Sequence, residues 1–419
     1  MDPQHIAVHR DDIPADVLAN VLTRFPPNTR RMLRLVCRHW RDVVATHTAT
    51  NLRSRAKILV VTLGSAYVVD DLPSAPGKPR ELWTGSSGTA RRYKAMSVVG
   101  TCNGLVCLCD DREPGGAITV ANPVTGEALR VPRLPTPQPA DPGISWHEAY
   151  GFTYLPTTGS YKVVHIALSA FDSVHVFTLG KPRWRALPVG HPARLRRGGP
   201  GYNYNYNYNY NYNYNYNVVT VDGVAYWATS EGTYKVMAFD VEHERVKPIP
   251  SLPPPLSLSQ DNGSWHLAEV HGRLAVIFNC ISLAADTTEV WVMEGKTSAR
   301  QIRWSRWYVI RMSMPYHWHP CPQEPWARPR HLTWPIFVHG EHILTWEWSQ
   351  YEPAFVLYSH TPAQDTRKGA KHGVVDISDK NKGAVVVNIN RLSYHDHRRT
   401  FAYVETKEPL SVYMSATVR

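Results

Sequence analysis

The segment VVTVDGVAYWAT, Val218–Thr229, decides the fold. Two runs rich in β-branched and aromatic residues flank Asp222-Gly223. A two-residue link between antiparallel strands needs φ > 0 at both central positions, which Asp tolerates and Gly adopts freely. The segment therefore reads as a β-hairpin closed by a type I′ turn.

The same grammar recurs along the chain. KILVVTL, AITVANP, YKVVHIAL, VHVFTL, YKVMAFDV, RLAVIF, EVWVM, WYVIRM, HILTW, FVLY and AVVVNI are short runs of strand-forming residues. Asn103-Gly104, Thr125-Gly126, Thr158-Gly159 and His271-Gly272 supply further turn signals. With 33 prolines and no long helical pattern, the chain after Lys57 reads as all-β.

Three segments share a layout: ITVANPVTGEALRVP (118–132), VHVFTLGKPRWRALP (174–188) and VMAFDVEHERVKPIP (236–250). Each is a strand, a polar turn and a short strand ending in Pro, which suits the outer half of a propeller blade. GTCNGLVCLCD and VVTVDGVAYWAT suit the inner half. Units of about 45–50 residues give a β-propeller of six to eight blades. Two stacked sheets, as in a β-sandwich, are the alternative.

Residues 12–47 have a different period. Ile13, Val17, Leu18, Val21, Leu22 and Phe25 form one apolar stripe at helical spacing, with Pro14 in the first turn. Pro26-Pro27-Asn28 ends that helix and starts another, which carries Met32, Leu33, Leu35, Val36, Trp40, Val43 and Val44 among arginines. These apolar residues exceed what one small core needs, a pattern that points to a docking surface. The chain as a whole is α+β, a small helical module followed by a large all-β domain.

The residues now support a resemblance. Ile13-Pro14, Asp16, Val17-Leu18, Val21-Leu22, Phe25-Pro26-Pro27 and Val36-Cys37-Arg38-His39-Trp40 resemble an F-box. Ile13 and Phe25 replace the usual leucines, and Arg30-Arg31 stand where many members carry an apolar pair. GTCNGLVCL, VANPVTGEALRVPRLP, YGFTYLPTTGSYKVVHI, LGKPRWRAL and VDGVAYW, within roughly 57–250, resemble the F-box-associated domain of plants. The resemblance implies an F-box over 9–50 and an F-box-associated β domain over 57–410. It implies a non-catalytic substrate-recognition subunit of a Skp–cullin–F-box ubiquitin ligase. The Skp-type adaptor would meet Ile13, Pro14, Val17, Leu18, Val21, Leu22, Leu33, Val36 and Trp40, with cullin reached through it. A target protein would meet the β domain.

Other chemistry finds little support. Eight of the 14 tryptophans lie between Trp291 and Trp348. Within that stretch Tyr316, Trp318, Trp326, Arg328 and Trp334 are the candidate target-facing residues, because Trp, Tyr and Arg anchor protein interfaces. His317, His319 and Cys321 lack a second ligand pair at zinc spacing, so no metal and no cofactor are expected. No nucleophile elbow, HExxH or phosphate loop occurs. The net charge of +11 is scattered, with small groups at Arg30-Arg31, Arg91-Arg92 and Arg194-Arg196-Arg197. That arrangement favours a solvated surface over a nucleic-acid site. Recognition of nucleic acid or glycan by a basic propeller surface, outside any ligase, is the rival function.

Six cysteines without a CxxC pair make no disulfide framework. The start of the sequence shows no signal region, and no apolar run approaches the roughly 18 residues of a membrane span. An intracellular location, nucleus or cytoplasm, is expected, with no membrane partner.

The eight Tyr-Asn pairs at Tyr202–Asn217 precede the opening hairpin. Residues 198–217 read as a low-complexity insertion between strands, too long for one strand of a blade. Deletion of Tyr202–Asn217 is expected to leave the thermal unfolding midpoint and adaptor binding unchanged. A shift in either would place the array inside the fold.

Overall fold

A computed structural model of the chain describes residues 13–62, 65–70, 72, 79–83, 96–135, 145–166, 173–188, 218–229, 236–254, 263–280, 285–295, 302–313, 330–349, 354–364, 370–378, 383–390 and 399–414. Four helices come first: α1 (Ala15–Leu22), α2 (Pro27–Leu33), α3 (Arg38–Thr46) and α4 (Thr48–Ser54). Among the described residues, the regular elements beyond them are strands and two short 3-10 turns, Trp146–Ala149 and Leu410–Tyr413.

The strands form six sheets. The first holds β1 (Lys57–Thr62), β2 (Ser65–Val69) and β3 (Arg80–Trp83). The second is β4 (Met96–Cys102), β5 (Leu105–Asp110), β6 (Ala117–Ala121) and β7 (Ala128–Arg130). The third is β8 (Tyr150–Leu155), β9 (Ser160–Ile166), β10 (Ser173–Thr178) and β11 (Arg185–Pro188). The fourth is β12 (Val219–Val221), β13 (Val224–Ala228), β14 (Val236–Asp240) and β15 (Arg245–Pro248). The fifth is β16 (Gly263–Val270), β17 (Arg273–Cys280), β18 (Ala285–Glu294) and β19 (Arg303–Ser313). The sixth begins with β20 (Arg330–His339), β21 (His342–Ser349) and β22 (Ala354–His360). Then β23 (Gly373–Ile377) crosses to pair parallel with β19, and β24 (Ala384–Asn390) returns to β22. Finally β25 (Arg399–Tyr403) pairs antiparallel with β1 and completes the first sheet.

The leading strands touch in a closed ring: β4, β8, β12, β16, β20, β25 and back to β4. The domain is a six-bladed β-propeller. Burial separates it from the stacked-sheet alternative. In a sandwich one face of each sheet meets water. Here every residue of β9 after Ser160 is buried, as is β5 from Leu105 to Cys109. Both faces are covered because each blade packs between two others. Val163 and Tyr161 meet the second blade, while Val164 and Ile166 meet the fourth. The same layering joins the fourth blade to the fifth, the fifth to the sixth and the sixth to the first. Leu59 and Val61 against Val98 and Leu108 close the circle.

The opening hairpin is β12–β13, the inner half of the fourth blade. Asp222 and Gly223 have φ of 45° and 79°, as a type I′ turn requires. The three repeat segments are the outer strand pairs β6–β7, β10–β11 and β14–β15. Residues 198–217 lie outside the described residues.

Several histidines are built into this interior. His165 is fully buried beside Tyr150 and His175, and neither ring nitrogen has a hydrogen-bond partner. Burial, helped by His175, pushes its pKa down to about 3. Burial lowers His266 and His360 to about 4. Each favours the neutral ring, so the unfolded chain binds more protons between pH 6.5 and these values. Their stabilising contribution is complete above pH 6.5 and is lost as pH falls through that window. At pH 5 each costs about 2 kcal/mol. The melting temperature is expected to fall from pH 7 to pH 5, and His165→Leu to flatten that fall. An equal fall in the variant would remove His165 as a cause.

Candidate protein-docking faces

The helical module has two apolar sets. Leu18, Ala19 and Leu22 of α1 pack on Val43 and Val44 of α3, with Ala15, Leu33 and Trp40 around them. This set is a sealed core; Leu18 is 1% exposed and Leu22 has no exposure. The second set turns outward. Ile13, Val17, Val21 and Phe25 follow i, i+4 spacing along the other side of α1, and Val17 is 48% exposed. Met32, Leu35 and Val36 emerge at the end of α2 and the turn after it, with Leu35 at 73%. Seven of the 11 exposed large apolar side chains among the described residues lie in this short stretch, which makes it the candidate docking surface. His39 Nε2 donates to the Ile13 carbonyl at 2.9 Å and pins the start of α1 to α3.

The surroundings are basic. Eight arginines and two aspartates lie between Ile13 and Ala56. Arg24, Arg31, Arg38 and Arg41 are exposed beside the apolar set. Arg30 is buried instead, because it turns inward toward the propeller, where its charge reaches Cys102, Tyr154 and Glu408.

The nine residues expected to meet an adaptor thus fall into distinct places. Ile13, Val17, Val21 and Val36 are exposed and Pro14 sits at the α1 N-cap. Leu33 and Trp40 are half-buried at the rim of the core, while Leu18 and Leu22 support the module from inside. Phe25, Met32 and Leu35 join the outward set; their period was legible, but their facing was not.

The propeller's opposite end is its second face. The first turn of the third, fourth and fifth blades meets the helical module, at Thr157–Gly159, Asp222 and Gly272. Leading strands therefore run toward the helices, and their starting ends lie on the far side. Ser313 and Arg330, which flank 314–329, are on that far side, as are Pro188 and Val218. Tyr316, Trp318, Trp326 and Arg328 lie outside the described residues, as do His317, His319 and Cys321. Trp334 belongs to β20.

Asp111 organises the described part of this far face. It accepts Ser97 Oγ at 2.6 Å, the His147 N–H at 2.8 Å and His147 Nδ1 at 2.7 Å. Burial raises its pKa, but the His147 and Ser97 bonds outweigh this and hold it below the usual carboxylate range. Ser97 gives its proton to the carboxylate rather than to an imidazole, so the trio is a structural tie and not a nucleophile–base pair. It fixes the 3-10 turn Trp146–Ala149 ahead of β8. Burial pushes the Cys102 thiol up to about 12 and holds Cys107 and Cys109 well above the usual range, so these thiols stay protonated and unreactive. Among the described residues no group of three or more His, Cys, Asp or Glu is placed to hold a metal ion. No helix among them is long and apolar enough to cross a membrane.

The chain is thus a six-bladed propeller joined to a small helical module with an outward apolar face. Residues 11–48 match the F-box domain and 80–392 the F-box associated beta propeller domain, and the chain belongs to that family. The match runs well beyond residue 250, where the recognisable motifs end. Three relatives from Arabidopsis thaliana are similar to it. F-box protein At3g07870 is 25% identical over 37% of each chain. Putative F-box protein At1g53370 is 25% identical over 56% of this chain and 60% of its own. Putative F-box protein At1g46984 is 24% identical over 70% and 72%. The matched stretch thus spans about a third of the first relative and three fifths of the second. This architecture is typical of non-catalytic adaptor proteins.

The division of α1 into two faces has a measurable consequence. Leu18→Asp places a charge in the sealed core and is expected to destabilise the helical module by about 3 kcal/mol or more. Val17→Asp is expected to stay within about 0.5 kcal/mol of the parent. Limited proteolysis of residues 13–54 under urea separates the two; equal sensitivity would contradict the assigned facing.

Proposed function

We propose that the chain is the substrate-recognition subunit of a Skp–cullin–F-box ubiquitin ligase. The observation that carries this reading is the outward apolar set of the F-box helices. Ile13, Val17, Val21, Phe25, Met32, Leu35 and Val36 meet water although a separate core already holds the helices together. An apolar helix face of this kind is buried by a groove on a partner, and the F-box makes a Skp-type adaptor that partner. Cullin joins through the adaptor. Arg24, Arg38 and Arg41, exposed beside that set, favour a partner with acidic residues around its groove.

The propeller then presents a target from its far face. Tyr316, Trp318, Trp326 and Arg328, on the connection between the fifth and sixth blades, and Trp334 of β20 are the proposed aromatic and Arg anchors. The reaction is accelerated by holding the target near the ubiquitin-loaded enzyme, with no reacting group supplied by this chain. Such work is done in the nucleus, the cytoplasm or both.

The test is a binding titration with a purified Skp-type adaptor. The parent is expected to bind, and Val17→Asp/Val36→Asp to bind at least about 30-fold more weakly, in line with losses of about 2 kcal/mol or more at interface anchors. Helical circular dichroism of the double variant should match the parent. Equal affinity, or no binding by either protein, would reject the adaptor reading.

A further inference from the structure

Helix α2 begins on Pro26 and Pro27, neither of which has an N–H to offer. Asn28 carries the first free amide of the helix. It donates to both carboxylate oxygens of Glu408, each at 3.0 Å, from 380 positions away in the sequence. Glu408 is wholly buried, and Tyr413 Oη donates to its Oε1 at 2.5 Å. Burial pushes the Glu408 carboxyl up, and the Asn28 and Tyr413 bonds with nearby Arg30 pull it back. The helix dipole adds a positive end to the same place.

Arginines fasten the rest of the module. Arg34 donates to the Thr157 carbonyl and Arg53 pairs with Asp222. The stem of Arg31 lies on Gly159 and the guanidinium of Arg53 on Gly272, glycines whose φ values are 65° and 74°. A Cβ at Gly159 would sit 2.6 Å from Arg31 Cγ, so the turn is bare where the helix rests. Between α4 and β1 only Arg55 and Ala56 intervene, too few for a hinge of any reach.

We propose that this joint makes the F-box and the propeller one rigid body, with Glu408 as the positioning residue. The positioning role rests on the ligase reading above and deepens it. An adaptor bound to α1 then sees the propeller's far face at one distance and one bearing. Arg30, Arg31, Arg34 and Arg53 belong to the joint rather than to the adaptor interface, which accounts for arginines where an apolar pair is usual.

Two variants of the full chain test the joint, Glu408→Ala and Arg34→Ala/Arg53→Ala; the second keeps the buried carboxylate in case the first fails to fold. Hydrogen–deuterium exchange on the free protein is read at Asn28–Leu33 and, as a fold control, at β5. Exchange in α2 is expected to rise at least about tenfold with β5 unchanged. The positioning role is read separately, with adaptor, cullin, conjugating enzyme and ubiquitin, by mapping which of the chain's own propeller lysines are modified. The parent should mark a restricted set. The variants should spread over more lysines at an adaptor affinity within about twofold of the parent. Unchanged α2 exchange in both variants overturns the joint. An unchanged lysine pattern overturns the positioning role. Failure of the parent to assemble overturns the ligase reading, and the exchange result still decides the joint.

Discussion

The pairing of β25 with β1 holds the whole structure in register. Lys57 sits opposite Tyr403 and Val61 opposite Arg399, so strands from the two ends of the propeller sequence share one sheet. Without this pairing the ring is an open arc. Val60 of β1 would lose one partner strand, and the cores shared with the second and sixth blades would lose one wall. The same pairing covers the edge of β1 that would otherwise be left without a partner strand. The sheet bonds here are ordinary; their leverage comes from completing six inter-blade contacts at once.

The same strand delivers a second result. Five residues after β25 ends, the chain reaches Glu408 under α2. Asn122 grips this segment from the second blade, donating Nδ2 to the Thr406 and Glu408 carbonyls at 3.1 Å and 2.8 Å. The Leu410 amide bonds Glu127. Ring closure and helical docking are thereby coupled through one short stretch of backbone. The apolar cluster of the helices has just Leu18, Ala19, Leu22, Val43 and Val44 as its buried members, a small core for independent stability. The propeller beneath supplies the missing support.

What could be read from sequence divides by range. Asn103-Gly104, Asp222-Gly223 and His271-Gly272 were legible as turns because backbone φ is set locally, and all three have positive φ at both residues. The outer hairpins were legible because their layout repeats. Blade number needed closure, which is non-local. The excursion of β23 to the fifth blade left no local signal, since a parallel partner is not its sequence neighbour. The F-box stripe was legible as amphipathic, but one stripe held both a core side and an outward side. Leu18 and Val17 are adjacent and equally apolar; only the position of α3 assigns them opposite roles. Arg30 was misleading in the same way, since its surroundings are brought together from Cys102, Tyr154 and Glu408.

Conspicuous sequence and structural weight are therefore poorly matched in this chain. The Tyr-Asn array joins β11 to β12 across residues 189–217, and the ends of that connection are already fixed by the third and fourth blades. Lengthening a connection between fixed ends costs only logarithmically; going from about 10 to about 30 residues adds roughly 1 kcal/mol. A single carboxylate at position 408 has no such latitude. It is buried, and it meets the first amide of a helix that two prolines begin. Between the helices and the propeller of this chain, the constraint falls on the few side chains at the joint.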